Sequence, residues 1–158
     1  MIVFLDLEET LIDNWENGWL LPAKIAIIKE MLSEFSPKIG LMSWAVWDDA
    51  DKAKFNTRLR PELEEALGAT FDDDFLWSMD DWAKQLLALH GKRISREDLF
   101  DCFGKHEVLF MVSRCHPLFK GEHVVLFDDA VEHCLNWHSH MNDCRVLIQN
   151  IDELAKHA

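Results

Sequence analysis

Asp6 and Glu8 are the residues whose types and spacing point most directly to chemistry. The apolar run Ile2-Val3-Phe4-Leu5 ends in Asp6, and a second carboxylate follows two positions later. Strand side chains alternate faces with a period of two, so both carboxylates share one face if the extended backbone continues. One can then attack an electrophile while the other moves protons, the division of labour that phosphoryl transfer through an aspartyl-phosphate needs. The pattern recurs along the chain. Ile39-Gly40-Leu41-Met42 stops at Ser43, Val124-Val125-Leu126-Phe127 at Asp128 and Asp129, and Arg145-Val146-Leu147-Ile148 at Gln149. Runs of this length suit strands buried on both faces of a parallel sheet, and ligands of such sheets bind beyond the carboxyl ends of the strands. Asp6, Ser43, Asp128 and Asp129 are therefore expected to meet at one site.

The elements that must position these residues can be read from punctuation. Asn17-Gly18, between Trp15 and Trp19, predicts a two-residue hairpin turn, so residues 14–20 read as a small flap after the first strand. Trp15 and Trp19 are either its cross-strand packing or a stacking surface at the site entrance. Pro22 sits where a first helical residue would, and Leu21, Ile25, Ile28, Leu32 and Phe35 recur as one apolar helix face ending before Ser36-Pro37. The second strand is expected from Ile39 to Ser43. Residues 50–67 read as a more polar helical segment, interrupted near Pro61 and stopped by Gly68. Residues 75–79 are a short strand candidate. Ser78-Met79-Asp80-Asp81 and Ser95-Arg96-Glu97-Asp98 look like helix starts, which predicts a small two-helix insert near 80–104. A helix from Lys105 through Arg114 and a short terminal helix capped by Asn150 complete the reading.

In this order and spacing, the motifs resemble those of the haloacid dehalogenase-like (HAD) hydrolase superfamily. Its first motif, Asp-x-Asp-x-Thr or Val, is matched by Asp6-Leu7-Glu8-Glu9-Thr10, with Glu8 in place of the second Asp. Ser43 matches the Ser or Thr of the second motif, and Asp128-Asp129-Ala130-Val131-Glu132 the acidic fourth motif, where Asp129 and Glu132 compete for the second role. Lys105, one helix before the fourth strand, is favoured over Lys120 as the motif lysine. The resemblance implies an α/β, three-layer, Rossmann-like fold with a mostly parallel sheet, helices on both faces and a minimal cap, since the short stretch between Thr10 and Pro22 holds a flap and nothing larger. It implies Mg²⁺-dependent hydrolysis of a phosphate monoester. Asp6 would be the nucleophile, Glu8 the acid/base, Thr10, Ser43 and Lys105 the phosphate-binding residues, and Asp6, Glu8 (through its backbone carbonyl), Asp128 and Asp129 the candidate Mg²⁺ shell. The substitution at residue 8 keeps open a different class, a HAD-like binding or regulatory protein with little or no turnover.

Composition bounds the rest. The 158 residues, 49% of them apolar, suit one domain with a sizeable core, and there is no internal repeat or low-complexity linker. A formal charge of −13 disfavours a broad nucleic-acid surface. No run is long and apolar enough to span a membrane, and no amino-terminal targeting pattern is visible, so the reading is a soluble, cytoplasmic protein without a membrane partner. A phosphorylated substrate is the expected partner, and a second subunit closing the site, as in a homo-oligomer, stays open. Cys102, Cys115, Cys134 and Cys144 form no Cys-x-x-Cys pair and read as reduced thiols in or near the core. Cys134 and His138, flanked by His133 and His140, have the spacing of two ligands on one helix face, but Leu135 and Trp137 favour a half-buried helix end over a zinc site.

Overall fold

A computed structural model of the chain describes residues 1–90, 103–130, 136–141 and 144–158. Six strands form one sheet: β1 (Ile2–Leu5), β2 (Lys38–Leu41), β3 (Phe71–Leu76), β4 (His123–Asp128), β5 (Asn136–Met141) and β6 (Cys144–Asn150). Their spatial order is β3-β2-β1-β4-β6-β5. The first five strands in that order run parallel, and β5 pairs antiparallel with β6 at the edge. Residues 136–141 thus form a strand rather than the expected helix end, because the β6 edge supplies their backbone partners from Asn136↔Gln149 to Met141↔Cys144. His138, one of the two residues read as sharing a helix face, lies in this strand. His133 and Cys134 themselves lie outside the described residues, as do Cys102 and Glu132.

β1 is the central strand and its alternation builds both sides of the core. Ile2 and Phe4 face one layer, and Val3 and Leu5 face the other. Helices α1 (Pro22–Phe35), α3 (Arg60–Leu67) and α6 (Ile151–Lys156) cover the side of Val3 and Leu5. Helices α4 (Met79–His90) and α5 (Lys105–Cys115) cover the side of Ile2 and Phe4. This is the three-layer α/β arrangement the apolar runs imply. The chain winds outward from β1 through β2 to β3, then returns across β1 to β4. Right-handed crossovers place helices on opposite faces when the winding direction reverses, which accounts for the change of side between α3 and α5.

Several local expectations change in detail. Ile25, Ile28 and Leu32 of α1 are buried, but Phe35, the last helical residue, is 51% exposed, and Ser36 ends the helix with φ of 44°. The polar helical segment is α2 (Asp49–Lys54), a π-helical turn (Phe55–Leu59) and α3, with Pro61 in the first turn of α3. Proline has no N–H to donate to the carbonyl four residues back, so the ladder loosens just before it. Phe55, Leu59, Leu63 and Leu67 are all buried. Three α-helical turns take about 10.8 residues, whereas Phe55 to Leu67 takes twelve, and the residue added by the π turn keeps the four on one face. β3 begins at Phe71, earlier than expected, because the acidic Asp72-Asp73-Asp74 stretch lies between the buried Phe71 and Phe75.

Helix α4 packs into the core of the sheet. Met79, Trp82, Ala83 and Leu86 are buried in the same core cluster as Phe4, whose ring meets that of Trp82, and the Trp82 Nε1–H donates to the Leu41 carbonyl at 3.3 Å. Its start is the expected reciprocal cap, with the Ser78 N–H on Asp81 and the Asp81 N–H on Ser78 Oγ. The second helix expected in that segment, at Ser95, lies outside the described residues. Cys115 is exposed at the end of α5 rather than in the core. Among the described residues, no helix is long and apolar enough to cross a membrane.

Candidate active site

The strand order reverses at β1 and β4, and the crevice of an open parallel sheet opens where that happens, beyond the carboxyl ends of the strands. Asp6 immediately follows β1, and Asp128 ends β4. The register places Leu5 beside Phe127, and the Asp6 N–H donates to the Phe127 carbonyl at 3.0 Å, which continues the pairing into the site. On the other flank β2 aligns Leu41 with Leu5, and the Met42 N–H donates to the Leu5 carbonyl at 3.0 Å. Ser43 is therefore delivered next to Asp6. The three strand ends bring together side chains that are far apart in sequence.

Lys105 holds the centre. Its Nζ lies 3.0 Å from Asp6 Oδ1 and 2.6 Å from Asp128 Oδ2, and its side chain is only 5% exposed. Lys105 is the first residue of α5, where the helix dipole disfavours a cation by some tenths of a kcal/mol. The position is explained by the two carboxylates and not by the helix. Lys120 is exposed beyond the short 3₁₀ turn Pro117–Phe119, away from these contacts. Thr10 is fully buried and its Oγ1 donates to Asp6 Oδ2 at 3.5 Å, and the buried Ser43 lies near enough to Asp6 to act to lower its carboxyl pKa. Asp128 Oδ1 accepts from the Ala130 N–H at 2.9 Å, which turns the other oxygen toward Lys105.

Asp6, Asp128 and Asp129 each present a carboxylate oxygen within 4.8 Å of the others. One ammonium among three carboxylates leaves two negative charges unmatched when all are ionised. Burial pushes the Asp6 carboxyl up; Lys105 pulls it down, Asp128 adds to the rise, and the net shift is upward. Asp129 is pushed up to about 6, first by burial and then by Asp128 and Asp6. For Lys105, burial acts to lower the pKa, but Asp6 and Asp128 outweigh it and hold the ammonium above its ordinary value. Three hard oxygen donors with two unmatched charges suit a small divalent cation such as Mg²⁺.

Glu8 stands apart from this cluster. It is half-buried, its Oε1 accepts the Trp15 N–H at 2.7 Å, and its carboxylate is not one of the three grouped oxygens. The chain reverses sharply between them. The Leu7 carbonyl accepts from Thr10, Leu11 and Ile12, Glu9 adopts φ of 57°, and the Lys24 ammonium donates to the Glu9 carbonyl. The flap is also built differently from a two-residue hairpin. It has single bridges, Glu8↔Ile12 and Ile12↔Leu20, and a turn closed by the Gly18 N–H on the Asn14 carbonyl at 2.8 Å, with Gly18 at φ of 69°. Asp13 sets that geometry by accepting from Asn17 Nδ2 and from the Trp19 N–H. Trp19 is 71% exposed, so it does not form the expected cross-strand pair with Trp15.

Sequence reasoning brought Asp6, Thr10, Ser43, Lys105, Asp128 and Asp129 to one place, and the fold does the same. It missed Lys24 and Arg58, both of which act on backbone carbonyls of the first loop. A lysine or arginine directed at a carbonyl leaves no pattern in the sequence. No family model matches the chain, and neither a curated protein nor a solved structure matches it.

Proposed function

We propose that the protein hydrolyses phosphate monoesters in a Mg²⁺-dependent reaction that passes through an aspartyl-phosphate on Asp6. The observation that supports this most is the buried Lys105 joined to both Asp6 and Asp128 at the sheet's switch point, with Thr10 on the Asp6 carboxylate and Ser43 beside it. Burying an ammonium and two carboxylates is costly, and a purely structural core would be served as well by apolar residues of similar volume. The arrangement is economical for a site that must hold a dianionic phosphoryl group beside a carboxylate nucleophile.

In the proposed reaction an Asp6 oxygen bonds to phosphorus while the bond to the leaving oxygen breaks. Glu8 gives its proton to that oxygen, then takes one from the water that cleaves the acyl-phosphate. Lys105 and Ser43 hold the phosphoryl oxygens, and Thr10 keeps the nucleophile oriented. Asp6, Asp128, Asp129 and the backbone carbonyl of Glu8 would hold Mg²⁺, which when bound screens the phosphoryl group from the surrounding carboxylates.

A second reading, a binding or regulatory protein with little turnover, draws on the Glu at position 8, where the motif it resembles has Asp. One experiment separates the two: Mg²⁺-dependent turnover of a panel of phosphate monoesters by the wild type and by Asp6→Asn. The amide is nearly isosteric, so the variant is expected to stay folded, lose turnover, and fail to form a beryllium fluoride adduct. Undiminished turnover in folded Asp6→Asn would refute the mechanism. Wild-type inactivity on every ester, with Mg²⁺ still bound, would favour the second reading.

A further inference from the structure

The loop that contacts Glu8 is gripped from one side by the π-helical turn. Arg58, the fourth of the five residues of that turn, donates from Nη1 to the Trp15 carbonyl at 3.2 Å and from Nη2 to the Asn17 carbonyl at 3.0 Å and to the Glu16 carbonyl. Lys54, one residue before the turn, places its ammonium 4.9 Å from the centre of the Trp15 ring. Leu59, the last residue of the turn, lies under Gly18, where an added Cβ would come within 2.8 Å of Leu59 Cδ2. Three side chains of one short segment thus hold three parts of one loop, and Gly18 both turns the loop and lets its backbone lie flat on the segment.

The residue gained in the π turn has a use here. It lets Phe55 and Leu59 remain in the core while Arg58 faces outward to the loop. Single π-helical turns inside helices occur frequently at functional positions. The other side of the loop ends on Glu8, because the Trp15 residue whose carbonyl Arg58 holds is the one whose N–H binds the Glu8 carboxylate.

We propose that Arg58 is a positioning residue for Glu8. It docks the 15–17 turn on the π-helical segment and so fixes the amide that orients the Glu8 carboxylate. The inference rests on Glu8 being the acid/base of the proposed reaction. A guanidinium is required, since its planar fork serves several carbonyls at once, whereas an ammonium on a flexible stem does not hold them in one geometry. Without Arg58 the turn lifts, the Trp15 amide withdraws, and Glu8 loses its orientation while Asp6, Lys105 and Asp128 remain in place.

Two measurements on Arg58→Ala and Arg58→Lys test this. The first does not depend on turnover: hydrogen exchange of the Trp15 backbone amide, followed by NMR with the Phe4 amide as core reference. Both variants are expected to speed Trp15 exchange at least about tenfold, leave Phe4 unchanged, and melt within a few degrees of the wild type, because Arg58 is exposed. The second is kcat/KM on an alkyl phosphate, whose leaving oxygen needs a proton, and on p-nitrophenyl phosphate, whose leaving group does not. General acid catalysis supplies roughly 10²–10⁴-fold, so the alkyl ester is expected to lose about tenfold or more while the nitrophenyl ester is nearly unchanged. Unchanged Trp15 exchange, or an equal loss on both esters, would overturn the proposal. If the wild type turns over neither ester, the phosphatase reading fails, and docking of the turn by Arg58 is then decided by the exchange measurement alone.

Discussion

Replacing Lys105 with Met should expose how the site is balanced. The ammonium lies 3.0 Å from Asp6 and 2.6 Å from Asp128, and at an effective dielectric of about 20 each pair is worth roughly 6 kcal/mol of gross attraction. Most of that is offset by the cost of taking the charges out of water. Removing one partner leaves the others buried and uncompensated, which costs about 3–5 kcal/mol. Methionine fills the stem volume, so a cavity contributes little. The cost should depend on pH with a definite sign. Lys105 is held above its ordinary pKa, so its contribution is complete at neutral and acidic pH and is lost only as pH rises through the folded value. In the variant, the Asp6 carboxyl, already raised by burial, loses the cation that pulled it down. The folded state then takes up a proton more readily than the unfolded chain, and stability falls as pH rises. Urea unfolding at pH 5 and pH 8 without divalent cations should show the larger loss at pH 8. A loss below about 1 kcal/mol at both pH values would mean that Lys105 is not the counter-charge of the cluster.

Two further substitutions probe other parts of the argument. Asp129 is raised to about 6 from an unfolded value of 3.8, so between those values the folded state holds the proton more tightly and this group's contribution to stability declines as pH rises. The shift corresponds to roughly 3 kcal/mol, which solvent screening of this partly exposed group reduces to about 1; Asp129→Asn should raise stability by that amount at pH 7.5 in EDTA, little at pH 4, and an unchanged Tm at pH 7.5 would count against the crowding of the carboxylates. Gly40 pairs with Phe4 in the sheet, and an added Cβ would stand 2.5 Å from the Phe4 ring and 2.8 Å from Phe75 Cβ. Gly40→Ala should therefore cost about 1–3 kcal/mol, measured by chemical denaturation, and a neutral result would show that the ring has room to move.

The sequence by itself carried much of what depends on short-range pattern. Apolar runs ending at Asp6, Ser43 and Asp128 announced buried parallel strands, because a strand covered on both faces has no polar side to show. Pro22 and Asn150 marked helix starts for local backbone reasons, the latter accepting the Asp152 and Glu153 N–H groups as a cap should. The same locality hid the rest. The single glycine of β2 looked like an ordinary strand residue until the Phe4 ring was found lying across it. The acidic stretch in β3 concealed a strand whose buried residues are only Phe71, Phe75 and Leu76. Lys105 and Lys120 differ little as sequence neighbours of a strand, and only the crossing of α5 over the sheet puts one of them between two carboxylates. The Asn17-Gly18 dipeptide proposed a turn but not its form, since Arg58 acts on it from 41 residues away, a gap that local pattern does not span. Periodicity and turn chemistry are properties of adjacent residues. Which charges meet, and which loop rests on which helix, follows from the free energy of packing distant segments together, and that is decided only in the folded chain.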